Sequence, residues 1–168
     1  MGVLTEDMRR VLDEQQLGFV ATVCPDGTPN LSPKGTMAAW DDDHLVFADI
    51  RSPVTIANLR RNPAVEINVV DCLSRKGYRF KGTACVLESG AAFDAVLAFY
   101  RARGSTSAKP HVVLVKVGYA APLTSPAYDG GADEAQISSQ WRRYWDKAWG
   151  RRGQGVNNPP DARQAGSG

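Results

Sequence analysis

The run from Phe47 to Pro63 constrains this chain most. Phe47-Ala48-Asp49 reads as the end of a strand that opens directly into a helix. Pro53 fits the first helical turn, because its missing N–H would be unpaired there anyway. Ile56 and Leu59 give the helix an apolar side, and Asn62-Pro63 stops it. Arg51, Ser52 and Thr55 therefore sit where a helix begins. A helix N-terminus offers unpaired N–H groups and a partial positive charge, which suit an anion. Two hydroxyls and a guanidinium there suit a phosphate in particular. Ser52 and Thr55 fit ordinary helix-capping roles equally well.

Short strands surround this junction. Helical spacing of Met8, Val11 and Leu12 predicts a first helix from Thr5, its N-cap, to about Gln16, ended by Gly18. Phe19–Cys24 and Asn30–Trp40 read as two strands joined by the turn Pro25-Asp26-Gly27-Thr28-Pro29. The returning strand carries Leu31-Ser32-Pro33-Lys34-Gly35-Thr36. Asp41-Asp42-Asp43 makes the next turn, and His44–Ala48 the third strand. Beyond the central helix, Ala64–Val70 alternates as a half-buried strand should. Tyr78–Leu87 is a longer strand, and Gly82 inside it predicts a bulge or bend. A helix over 91–102 has Phe93, Val96, Leu97 and Tyr100 on one side. His111–Val117 is the last strong strand. Asp133 is the expected N-cap of a final helix carrying Ile137, Trp141, Tyr144, Trp145 and Trp149.

Six short strands in hairpin succession, with short helices between them, describe a mainly β fold with peripheral helices. The expected form is a small antiparallel barrel. Composition and periodicity allow other small barrels equally. The 168 residues suit one domain over 1–149. Residues 150–168 are rich in Gly, Arg, Asn, Pro and Gln, which predicts a disordered tail.

Composition narrows the function classes. A net charge of +2 without a long basic run argues against a nucleic-acid partner. No apolar run reaches the ~18 residues of a membrane span, and the acidic N-terminus lacks a signal-peptide core. Cys24, Cys72 and Cys85 have neither a disulfide nor a metal-knuckle spacing, so free thiols in the cytoplasm are expected. Two histidines, His44 and His111, without a metal-motif carboxylate predict no metal site. No Gly-x-Ser-x-Gly elbow is present, and no catalytic residue is assigned.

Taken in order, the hairpin, the Leu31–Gly35 segment, the Asp41–His44 turn, the Phe47–Pro53 junction, the Asn58–Asn68 run and Lys76–Ala84 resemble the pyridoxamine 5'-phosphate oxidase-like flavoproteins. The resemblance spans residues 5–120 and is most specific at Asn58–Pro63 with the preceding strand. It implies a six-stranded antiparallel split β-barrel, the FMN-binding split barrel. It also implies a homodimer with FMN sites at the subunit interface and a small-molecule substrate. By the same resemblance, Ser32, Pro33, Lys34, Gly35 and Thr36 would line the isoalloxazine. Ala48, Asp49, Arg51, Ser52 and Thr55 would surround the ribityl chain and phosphate. Many members carry a cation where this chain has Val54; Arg51, Arg79 or Lys81 would have to compensate.

Several readings stay open at this level. Lys34 fits a solvent-facing strand lysine or a group beside the flavin. The Trp141–Trp149 rings fit packing against barrel or partner, or a cover over the flavin. The Ser125–Asp129 segment has no assigned role. The function expected is an FMN-dependent oxidoreductase passing hydride to or from a small organic substrate. The alternatives are a deazaflavin- or haem-binding split barrel, or a non-catalytic flavin-binding or sensor protein.

Overall fold

The computed structural model describes residues 2–106 and 110–154. Among the described residues there are seven strands and four α-helices. In chain order they are α1 (Glu6–Gln15), β1 (Gly18–Val23), β2 (Pro29–Lys34), β3 (Ala38–Ala39), β4 (His44–Asp49) and α2 (Pro53–Arg61). Then come β5 (Ala64–Val70), β6 (Lys76–Leu87), α3 (Ala91–Ala102), β7 (His111–Thr124) and α4 (Glu134–Gln154). The chain divides into two compact units. One holds residues 1–71 and 76–125; the other holds Cys72–Arg75 and everything from Pro126 on.

All seven strands belong to the first unit and form one antiparallel sheet, in the order β2-β1-β5-β6-β7-β4-β3. Its two edges, β2 and β3, are consecutive in the chain. Only Gly35, Thr36 and Met37 separate them, so the chain itself carries one edge of the sheet to the other. The sheet thus curls into a split barrel. The run expected as one strand over Asn30–Trp40 is two short strands, because β2 pairs with β1 and β3 with β4. At the crossing the Thr36 side chain does what a strand backbone would do. Its hydroxyl accepts from Ala48 N at 2.9 Å and donates to Ala48 O at 3.3 Å.

Strand alternation decides what fills the barrel. Val20, Leu45, Phe47, Ile67, Val69, Phe80, Val113 and Val115 face inward and are fully buried, with Leu12 of α1 over them. Val46, Ala48 and Val112 point the other way, onto Val96 and Tyr100 of α3. Thr5 caps α1 by accepting from Met8 N. The helix ends at Gln16 in the left-handed region, φ 53°, rather than at Gly18, which opens β1. The register slips between Lys81 and Gly82, leaving Gly118 as the extra residue on β7. A Cβ on Gly82 would stand 2.3 Å from Lys116 O, so the bulge requires glycine there. The last strand runs on to Thr124, seven residues past its expected end, because β6 is long enough to pair with all of it.

In the second unit Asp133 caps α4 by accepting from Gln136 N at 2.8 Å, and the Gln136 side chain returns a bond to Asp133 N. Trp141, Tyr144, Trp145 and Trp149 pack ring to ring along the helix. The Arg75 guanidinium lies 4.2 Å from the Trp141 ring centre. Tyr128 OH donates to Ser74 O at 2.6 Å, which gives the Ser125–Asp129 segment a structural contact. Of the tail expected over 150–168, residues 150–154 belong to α4, which continues through Gln154. Arg151 is a good helix former and suits the negative end of the helix dipole. Residues 155–168 lie outside the described residues. No described helix is long and apolar enough to cross a membrane.

Candidate functional site

The site begins with the inward face of an edge strand. In β2, Ser32 stands opposite Val20 and Lys34 opposite Gly18. Alternation therefore sends both side chains toward the barrel interior and leaves Leu31 and Pro33 outside. Lys34 is 4% exposed. Its ammonium donates to Ser32 Oγ at 3.0 Å and to Ser52 Oγ, and stands 3.8 Å from Asp49 Oδ1. The Phe47 ring centre is 5.9 Å away. Burial pushes the Lys34 pKa below its ordinary value, and the Asp49 carboxylate only partly opposes this.

The second wall is the strand-to-helix junction. Asp49, the last residue of β4, is 4% exposed and accepts from Ser52 N at 2.8 Å. Ser52 stands at the N-cap position of α2, yet its hydroxyl makes no cap bond to the helix. It reaches Lys34 and lies 3.3 Å from Ser32 Oγ instead. Ser52 thus holds the N-cap position without a side-chain cap bond, and its hydroxyl joins Lys34 and Ser32. Pro53 occupies the first turn as expected. Arg51 is exposed beside it, and Val54 is exposed as well.

A second polar layer backs this one. Asn30 donates to Thr22 Oγ1 at 3.1 Å and to Thr55 Oγ1 at 3.3 Å. Asn58 donates to Thr22 Oγ1 at 3.1 Å. Thr55 is thus buried with its hydroxyl turned onto Asn30, away from the exposed start of the helix. At the crossing segment a cavity of about 310 Å³ is lined by Gly35, Thr36, Met37, Ala38, Tyr100 and Arg103, among others. This is near the lower bound of small-molecule pockets, ~300 Å³. Tyr100 OH donates to Thr36 O at 2.8 Å and holds that wall.

Of the expected site residues, the structure brings Ser32, Lys34, Asp49 and Ser52 into one cluster. Thr36 and Ala48 are bonded to each other, and Gly35 and Thr36 line the cavity. Pro33 and Arg51 are exposed at the rim. Arg79 and Lys81, two of the cations named above to compensate for Val54, are both engaged by Glu66, at 2.8 Å and 3.4 Å. Lys34 is the cation that touches Ser52. Sequence reasoning missed one member, His111. It stands opposite Asp49 across β4 and β7, with Nδ1 3.6 Å from Asp49 Oδ2. Nothing local in the sequence marks it, since only the long-range strand register brings the two together.

A split barrel whose strand-to-helix junction meets a buried lysine and two serines defines the class of fold and site. Residues 4–124 match the pyridoxamine 5'-phosphate oxidase family, and the chain belongs to that family. HupZ of Group A Streptococcus is 34% identical, with a TM-score of 0.66 over 73% of this chain and 95% of that one. An uncharacterised protein of Methanocaldococcus jannaschii is 32% identical over 89 residues, 52% of this chain. The match spans 58% of that relative's length, a little over half. An FMN-binding protein from Syntrophomonas wolfei is 18% identical, with a TM-score of 0.61 over 71% of this chain and 86% of that one. At that identity the likeness is one of fold.

Proposed function

We propose that this chain is an FMN-binding oxidoreductase that passes hydride to or from a small organic substrate as a cytoplasmic homodimer. The observation that carries the reading is the meeting of Lys34, Ser32 and Ser52 at the start of α2, inside the family-matched region. A buried ammonium, two hydroxyls and a helix N-terminus are the donor set that a phosphate ester accepts. Arg51 at the rim adds a guanidinium. The residues present therefore fit the cofactor even though Val54 is not a cation.

Bound FMN supplies the two-electron chemistry, and the protein binds, orients and tunes it. In this reading Ser52 and Arg51 hold the phosphate. Lys34 places positive charge beneath the ligand, and Asp49 fixes the angle of the loop by taking the Ser52 N–H. Gly35 and Thr36 present open backbone beside the cavity, where a flat ring is admitted because no side chain fills the space. A second copy of the chain would cover Leu31, 65% exposed, and Phe19, 44% exposed, on the outer face of β1 and β2. It would also supply the second wall of the cofactor site.

The test is FMN affinity of the Arg51→Ala, Ser52→Ala double variant. Loss of about 1–3 kcal/mol, tenfold to a few hundredfold in Kd, is expected. Unchanged affinity would place the phosphate elsewhere. A protein that ignores FMN but takes a deazaflavin or haem would favour those cofactors on the same barrel. FMN binding without turnover against any reductant or acceptor would favour a sensor.

A further inference from the structure

Lys34 does not face Asp49 alone. Lys34 and the Ser52 N–H both use Asp49 Oδ1. The other oxygen, Oδ2, is turned toward His111 Nδ1 at 3.6 Å. That nitrogen is buried and makes no hydrogen bond. The separation is just beyond hydrogen-bond range, so a small ring rotation would close it. An unpartnered buried polar atom carries a free-energy cost that such a closure relieves.

The far side of the ring reaches the surface. His111 Nε2 lies 3.4 Å from Glu88 Oε1 and 3.3 Å from an Arg60 guanidinium nitrogen, and Arg60 and Glu88 pair with each other. The charged groups around the ring are therefore Asp49 from β4, Arg60 from α2 and Glu88 just after β6. Lys34 from β2 faces the same carboxylate from the other side. Histidine is the side chain that changes charge near neutral pH.

We propose that His111 is a positioning residue for Lys34. The two cations compete for one buried carboxylate, and the winner decides where the Lys34 charge points. With a neutral imidazole, Asp49 holds the ammonium. With an imidazolium, Asp49 is satisfied by His111, and the Lys34 charge is left for an anion at Ser32 and Ser52. Glu88 and Arg60 face the outer ring nitrogen with opposite charges. The naming of that anion as the FMN phosphate rests on the reading above; the coupling of His111 to Lys34 does not.

The experiment is an NMR pH titration of both histidine rings in the full chain without added ligand. His44, which pairs with Asp41 at 2.8 Å, is the internal control. Lys34→Met removes the competitor, so His111 should keep its proton to higher pH. The expected change is roughly threefold to thirtyfold in its protonation equilibrium. His44 should not move. Glu88→Gln should move His111 in the opposite direction. A second readout needs no variant: the Lys34 side-chain nitrogen signal should inflect at the pH where His111 titrates. His111 unmoved by Lys34→Met, or a Lys34 signal without that inflection, overturns the proposal. FMN binding is measured separately. Coupling without FMN binding would sink the cofactor reading, and FMN binding without coupling would sink this one.

Discussion

Asp49→Asn is the change that most exposes how the barrel end is held. The carboxylate stands 3.8 Å from the Lys34 ammonium, with both groups almost fully buried. At an effective dielectric of 20 that separation corresponds to about 4 kcal/mol of attraction. The amide keeps an oxygen for the Ser52 N–H, so the loop need not unravel. What it loses is the countercharge, and a buried cation without one costs about 3–5 kcal/mol. Lys34→Met should cost much less, about 1 kcal/mol, because Asp49 retains the Ser52 N–H and has His111 Nδ1 3.6 Å away. In the double variant no buried cation remains. The double-mutant cycle should therefore give a coupling of about 2–4 kcal/mol. The assay is urea unfolding at pH 7 and a fixed protomer concentration, since association would shift the midpoint. A coupling below about 0.5 kcal/mol would mean that the ammonium is solvated as at a surface pair, and would refute the buried-cluster account.

Three further outcomes follow from the same structure. The native Lys34 amine releases its proton more readily than the unfolded value of 10.5, so between the two values the folded state binds fewer protons. Stability conferred at this site should rise with pH across that window, be flat below it, and lose the slope in Lys34→Met, by comparison of unfolding at neutral and alkaline pH. Gly77→Ala would place a Cβ 2.0 Å from Val69 O in the β5–β6 ladder; a loss of about 2 kcal/mol or more by thermal melting is expected, and an unchanged melting temperature would contradict the pairing. Tyr100→Phe removes the donor at 2.8 Å from Thr36 O; a loss of about 1–3 kcal/mol with faster amide exchange at Thr36–Ala38 is expected.

The local grammar of the chain was readable. Thr5, the Pro25–Pro29 turn, Pro53, the Gly82 bulge and Asp133 act where turn, cap and bulge chemistry places them. Alternation in Ala64–Val70 correctly divided core from surface. Residues whose role depends on strand pairing were harder to read. Nothing in Leu31–Thr36 says that the chain leaves one sheet edge and joins the other, because that is a property of sheet order. Lys34 reads as a surface lysine or a ligand group, and its burial follows from Phe47, Asp49 and Ser52, brought to it by β4 and the start of α2. Thr55 reads as a helix cap or a phosphate-binding group, and its acceptance of a hydrogen bond from Asn30 depends on where β2 lies against α2. His111 joins Asp49 across 62 residues through the register of β4 and β7 alone. The family pattern supplied the junction as a site. Physical reasoning on residue types supplied the phosphate preference, and neither reached the approach of His111 to Asp49.

The central claim is that the cluster of Lys34, Ser32 and Ser52, with Arg51 at its rim, binds FMN. The most direct measurement is a visible spectrum of the purified protein followed by fluorescence titration with FMN. The account predicts absorbance near ~450 nm, or saturable FMN binding in the micromolar range that inorganic phosphate weakens by competition. A colourless protein whose addition leaves FMN fluorescence unchanged across that range would contradict it.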